Sequence, residues 1–265
     1  SDFDNYFKLR DRYVTGYTLD IGTPVGIMNY DIPEYISHTA LTSLYLIQQY
    51  HLYINAVLSK FNNPTHIILH TETASTFLDE QQFNAYCELL RITIEYIKTL
   101  LPNIKIGVYG TQDDSETDLL KMNMYTDFFN ISYIASKSTD NHMDTINRLL
   151  SLTNKNVAIC EFGIPTSTSP LPEKRQVKLI NNVFDLANEL GSRLEFMSYY
   201  QAFDENRKIV ETYLPTLFPD WTEEQLKEGI IWFSSLGLKT SLGTPKSGWY
   251  TFKRRIILAK ERENG

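Results

Sequence analysis

The sequence predicts an α/β fold built on a parallel sheet. Three observations carry this. Short apolar runs of strand type recur along the chain, helical patterns separate most of them, and two of the runs end in a carboxylate. Strands that alternate with helices are joined by right-handed crossovers, and such crossovers leave the strands parallel. The strand-like runs fall near residues 17–21, 67–70, 104–109, 131–135, 157–160 and 194–199. Residues 44–61 and 83–101 carry apolar side chains at helical spacing. The second of these helices stops at Pro102-Asn103, directly before a strand. A third helix is predicted over residues 173–190 and is closed by Gly191.

Composition narrows the function classes. The chain has 265 residues, 42% hydrophobic and 22% charged, enough for a sizeable core. Its net charge is −7 and it holds no basic run, which sets nucleic-acid binding aside. No apolar stretch approaches the roughly 20 residues of a membrane span, so no membrane partner is expected. The first residues, Ser1-Asp2-Phe3-Asp4, show no signal-peptide pattern, as in a secreted enzyme whose signal has been removed. Cys87 and Cys160 fall in separate interior elements and read as unbridged thiols, which leaves the redox compartment open. Asn130-Ile131-Ser132 is a lone glycosylation sequon. His66 and His70 are four apart, but on a strand that spacing does not put them on one metal-binding face. There is no Gly-x-Ser-x-Gly elbow and no Gly-rich phosphate loop. The reading therefore calls for no cofactor and no metal.

The most informative stretch is Val157-Ala-Ile-Cys160-Glu161-Phe-Gly163-Ile-Pro165-Thr166. A buried strand runs into one carboxylate and then a Gly/Pro loop. A carboxylate there is costly to desolvate, and strand carboxyl ends face the ligand-binding mouth of an α/β barrel. Taken alone, Glu161 fits two roles: a chemical group at that mouth, or a strand-end residue that caps the loop or pairs with a base. A second run, His66-Ile67-Ile68-Leu69-His70-Thr71-Glu72, also ends in a carboxylate. Two facing carboxylates are what glycoside hydrolysis needs, one to protonate the leaving oxygen and one to attack the sugar carbon or activate water. The 17 Tyr, 14 Phe and 3 Trp could supply stacking platforms for sugars, though most such rings belong to a core.

These residues resemble the superfamily of retaining glycosidases built on a (β/α)8 barrel of the TIM type. Cys160-Glu161-Phe162-Gly163-Ile164-Pro165-Thr166 is similar to its Glu-x-Gly-x-Pro-Thr after the seventh strand. Gln176 in the next helix fits too, as do Ser198-Tyr199-Tyr200-Gln201-Ala202-Phe203-Asp204 at the eighth strand and the terminal Gly237-Leu238, Gly243-Thr244-Pro245-Lys246 and Trp249. The resemblance runs from about residue 17 to the end and is specific to the superfamily, not to one family. It implies hydrolysis of a β-linked oligosaccharide or polysaccharide, and it leans toward an extracytoplasmic location. The chain departs from the pattern at Thr71, where the superfamily has an Asn that bonds the sugar 2-hydroxyl. If Glu72 ends the fourth strand, one strand precedes it, near residues 17–21, and residues 1–13 read as the tail of the second helix. Residues 1–265 then form a single (β/α)-barrel domain, amino-terminally incomplete and lacking its first two strands. An open barrel of six strands leaves two sheet edges to pair, so an additional chain or segment could complete it. Residues 22–33 read as a loop over the mouth, and residues 203–232 as a long excursion that could wall a cleft.

The resemblance assigns Glu161 as the nucleophile and Glu72 as the acid/base. Tyr133 would end the sixth strand and bond the nucleophile or line the subsite, with barrel packing as its other role. Tyr199 and Tyr200 end the eighth strand, and alternation puts one of them at the mouth. His70, two residues before Glu72, could tune the acid or touch sugar hydroxyls, or be a satisfied core histidine. Thr71, Tyr109 and Gln112 are further contact candidates, and Asp20 and Asp204 are either sugar contacts or loop caps. Two other readings compete with the glycosidase. One is a catalytically inactive barrel that binds carbohydrate or a protein partner. The other is a different barrel enzyme that uses Glu161 as a general base.

Overall fold

The computed structural model describes residues 17–23, 40–61, 64–70, 80–135, 142–167 and 172–263. Residues 1–13, most of the 22–33 loop, Thr71 and Glu72 lie outside the described residues. The described elements are strictly α/β. They divide into two compact units at Asn130/Ile131, within the fourth strand.

The first unit holds three strands, β1 (Thr18–Gly22), β2 (His66–His70) and β3 (Lys105–Val108). They pair in the order β1-β2-β3, both pairs parallel, with Thr18 opposite His66 and Ile67 opposite Ile106. The helices α1 (Leu44–Lys60) and α2 (Glu80–Leu100) follow β1 and β2 as crossovers. Ser43 starts α1, its hydroxyl accepting the Leu46 N–H at 3.2 Å. The helix buries Leu46, Tyr50 and Ile54, a stripe repeating every four residues. Tyr50 reaches back to donate to the Gly22 carbonyl at 3.1 Å, which holds α1 against the end of β1. His51 stacks on Tyr96 of α2 with ring centroids 3.7 Å apart. The start of α2 lies three residues before the predicted one, because its first turn, Glu80-Gln81-Gln82, is polar and hides from an apolar pattern. A short helix, α3 (Glu116–Met122), follows β3 behind an Ser115 cap. Gly107 in β3 is required by packing, since a β-carbon there would stand 2.4 Å from the Phe128 ring.

The second unit carries the sheet β4-β5-β6, formed by β4 (Phe128–Ile134), β5 (Asn156–Gly163) and β6 (Leu194–Tyr199). β5 and β6 are parallel, with a register shift between Ile159 and Phe162. The crossovers are α4 (His142–Ser151) and α5 (Pro172–Leu190), the latter ending in a short turn at Gly191 with φ of +52°. Predicted 131–135, β4 starts three residues earlier, at a buried Phe128-Phe129-Asn130. The excursion after β6 is not an open loop. It folds into α6 (Arg207–Leu217) and α7 (Glu223–Phe233), the latter opened by a full capping box between Thr222 and Gln225. The last helix, α8 (Ser247–Glu263), packs on α5 through Phe184 against Phe252, 5.5 Å between centroids. Gly248 allows that approach, because a β-carbon there would meet the Gln176 side chain at 2.1 Å. The described residues contain six strands, and no described helix is long and apolar enough to cross a membrane.

Candidate active site

Glu161 lies two residues from the carboxyl end of β5, half-buried in a strand whose other members from Val157 onward are buried. The Ser132 hydroxyl on β4 donates to its Oε2 at 3.1 Å. Side chains alternate across a strand, so the partners of each neighbour reveal which face Glu161 occupies. Phe162, next along, sits edge-on to Tyr199 with centroids 5.2 Å apart, and Tyr199 in turn meets Phe252 of α8. Phe162 and Tyr199 therefore face the helix layer. Gly163, next along, faces the other way, and Ser132, whose neighbour Tyr133 bonds His142 of α4, brings Glu161 to that same side. A side chain on Gly163 would come within 3.3 Å of the Tyr200 Cβ, so Tyr200 shares the Glu161 face. The Tyr200 ring lies 6.2 Å from that of Trp232 on α7. The Trp232 indole N–H is shielded from solvent and has no hydrogen-bond partner among the described residues.

The candidate residues are thus sorted by face. Ser132, Glu161 and Tyr200 come together. Tyr133 follows Ser132 and turns the opposite way, its hydroxyl 2.5 Å from His142 Nδ1 at the start of α4. Tyr199 donates to the Leu236 carbonyl at 3.0 Å and accepts from Gln176 Nε2 at 2.8 Å. Burial pushes its phenol well above the ordinary range, as fits a structural hydroxyl. Asp204 is also held inside the protein. Its Oδ1 accepts from Lys246 Nζ at 2.6 Å and from the Gly237 N–H at 2.8 Å, with the two side chains 9% and 7% exposed. Burial pushes its carboxyl up against the pull of Lys246. Its Oδ1 is thus tied to Lys246 and to the Gly237 backbone, an arrangement that fits the loop-cap role of the two roles expected for Asp204.

In the first unit, Tyr109 is buried just past β3, its N–H donated to the Leu69 carbonyl at 3.0 Å. His70 is the last residue of β2, opposite Gly22 of β1. Asp20 is exposed on β1. Glu72 and Thr71 lie outside the described residues. Cys87 and Cys160 are buried and neither is in a disulfide. Among the described residues no cluster of His, Cys, Asp and Glu could hold a metal ion. Sequence reasoning passed over Ser132, Trp232 and Lys246. Lys246 had a signal, its place in Gly-Thr-Pro-Lys. Ser132 had only strand parity, which is silent until the facing side is known.

No protein-family model matches the sequence, and no curated protein matches it. Solved structures do. An endo-β-1,4-xylanase of glycoside hydrolase family 10 from Gloeophyllum trabeum superposes with a TM-score of 0.61 at 9% identity, covering 97% of this chain and 79% of the xylanase. Xylanase 10B from Thermotoga maritima gives 0.56 at 13%, covering 88% and 72%. A GH2 β-galacturonidase from Eisenbergiella tayi gives 0.55 at 16%, covering 81% of this chain but only 37% of the galacturonidase. The chain shares the fold of the (β/α)-barrel glycoside hydrolases. The matches span more than one family of that group, so the likeness fixes the fold and leaves the family open.

Proposed function

We propose that this chain is a retaining glycosidase domain acting on a β-linked glycan, with Glu161 as nucleophile and Glu72 as acid/base. The observation that supports this most is the placement of Glu161. It is half-buried near the carboxyl end of a parallel strand, held by Ser132, and shares its face with Tyr200. In this reading β1 to β6 take the places of the third to eighth barrel strands. Carbohydrate as the ligand class is supported by the neighbours, one of which is a xylanase bound to xylobiose and another a galacturonidase bound to galacturonate.

The chemistry follows from the two carboxyl groups. Glu72, protonated, gives its proton to the leaving oxygen as Glu161 attacks the anomeric carbon from the opposite face, which forms a glycosyl ester. Glu72, now a carboxylate, takes a proton from water, which attacks the same carbon and restores Glu161. Ser132 donates to one Glu161 oxygen and so helps fix the direction of the carboxylate. Tyr200 and Trp232 offer rings to the sugar beside it. The test is turnover of activated aryl β-glycosides with product configuration followed by NMR. Glu161→Gln is expected to stop turnover. Glu72→Gln should hurt most with poor leaving groups, since an activated aryl group needs little protonation. An inverted anomeric product, or full activity in Glu161→Gln, contradicts the mechanism. Binding of glycans without turnover by the wild-type chain favours the inactive barrel, a reading that Thr71 in place of the usual Asn keeps in play.

A further inference from the structure

Lys246 stands one residue before α8, 7% exposed. An ammonium has three protons to donate, and here each has an acceptor: Asp204 Oδ1 at 2.6 Å, Thr166 Oγ1 at 2.9 Å and the Ser235 carbonyl at 3.1 Å. No proton is left for a ligand, so the role of Lys246 is geometric. What it gathers is specific. Thr166 lies in the loop that leaves β5, and its own N–H and hydroxyl both donate to the Ser235 carbonyl, at 3.1 and 3.0 Å. Ser167 adds a hydroxyl contact to Ser235 at 2.7 Å. Asp204 follows β6 and is tied to Gly237. One buried side chain therefore joins the exit of β5, the exit of β6, the turn after α7 and the start of α8. Between Glu161 and this junction lie only Phe162 to Pro165, all buried.

We propose that Lys246 is a positioning residue for Glu161: through Thr166 it fixes the exit of β5, and so the direction in which the Glu161 carboxylate is held. The proposal rests on the reading of Glu161 as nucleophile, and it separates from mere stability in a testable way. A buried ion pair can often be replaced by neutral groups of similar size with little cost to the fold, whereas a displaced nucleophile lowers the rate steeply.

Two variants test it, Asp204→Asn/Lys246→Met, which removes both charges together, and Thr166→Val, which keeps the ion pair and removes one acceptor. Hydrogen exchange of the peptide over residues 161–167 is measured beside kcat and KM on an aryl β-glycoside. In the double variant exchange should rise about tenfold in that peptide and not in the rest of β4 and β6. Its kcat should fall about 100-fold with KM nearly unchanged. Thr166→Val should move both readings the same way by less. Unchanged exchange over residues 161–167 in both variants overturns the proposal. So does a rise spread evenly over β4, β5 and β6, which would make Lys246 a residue of general stability. If the wild-type chain turns over no glycoside, yet the variants show the local rise, the nucleophile reading sinks and the lock on the β5 exit stands.

Discussion

Replacing Gly237 with Ala should cost more stability than the same change at any other glycine among the described residues. A β-carbon at Gly237 would stand 2.1 Å from the Asp204 nitrogen, 2.2 Å from the Phe203 carbonyl carbon and 2.8 Å from the Lys239 oxygen. All three are backbone atoms. Non-bonded heavy atoms rest at about 3.5 Å, so the segments must part by more than an ångström. They are stitched together, since Asp204 donates its N–H to the Lys239 carbonyl at 2.8 Å and accepts the Gly237 N–H at 2.8 Å. Parting them strains the packing, at ~1–3 kcal/mol, and loses a hydrogen bond to a buried carboxylate, at ~1.5–3 kcal/mol. The sum, about 2.5–6 kcal/mol, is a large share of an ordinary domain stability of about 5–15 kcal/mol. In urea titrations followed by tryptophan fluorescence the midpoint should fall by about 1–2 M with an unchanged slope. Gly22→Ala is the control: among the described residues nothing stands within 4 Å of that position, and its effect should stay within ~0.5 kcal/mol. A Gly237→Ala protein within ~1 kcal/mol of wild type would refute the packing argument and, with it, the tight junction around Asp204 and Lys246.

The two neighbouring tyrosines should behave oppositely. Tyr199→Phe strips a hydroxyl that serves Leu236 and Gln176 and should lower stability by ~1–3 kcal/mol while leaving KM alone; Tyr200→Ala should raise KM severalfold with a smaller stability loss. Equal effects of both on KM would show that the two faces have been misassigned. Burial pushes the Cys87 thiol up to about 11, so almost none is thiolate at neutral pH. Iodoacetamide at pH 8 should label Cys87 far more slowly in the native protein than in urea, with the native rate rising toward pH 11. Equal native and unfolded rates at pH 8 would contradict its burial.

Much of the fold was legible because its strands are short apolar runs bounded by Gly, Pro and Asn. The core of β5 was legible in the unbroken run Val157 to Cys160, but the strand does not stop at Glu161: it runs on through Phe162 to Gly163, because both are buried and pair onward with the sheet. β4 was read late because Asn130, fully buried, interrupts the apolar run that Phe128 and Phe129 begin. α6 and α7 were read as an excursion because their apolar residues are few and partly exposed, with Val210 and Leu214 alone buried on α6; tertiary packing, not local pattern, stabilises them. The site was half legible. Alternation told that one of Tyr199 and Tyr200 faces Glu161, but only their partners tell which. Asp204 could be read only as a sugar contact or a loop cap, because its ion-pair partner Lys246 lies 42 residues away, and no local rule pairs residues at that distance.

The central claim is that Glu161 becomes covalently bonded to a sugar. The most direct measurement is mass spectrometry of peptides from the chain after incubation with a mechanism-based β-fluoroglycoside, which forms the glycosyl intermediate but releases it slowly. The account predicts one glycosyl unit added to the peptide that carries Glu161, localised to that residue by fragmentation and absent in Glu161→Gln. Labelling at another carboxylate, or steady hydrolysis of a glycoside with no adduct at Glu161, would contradict it.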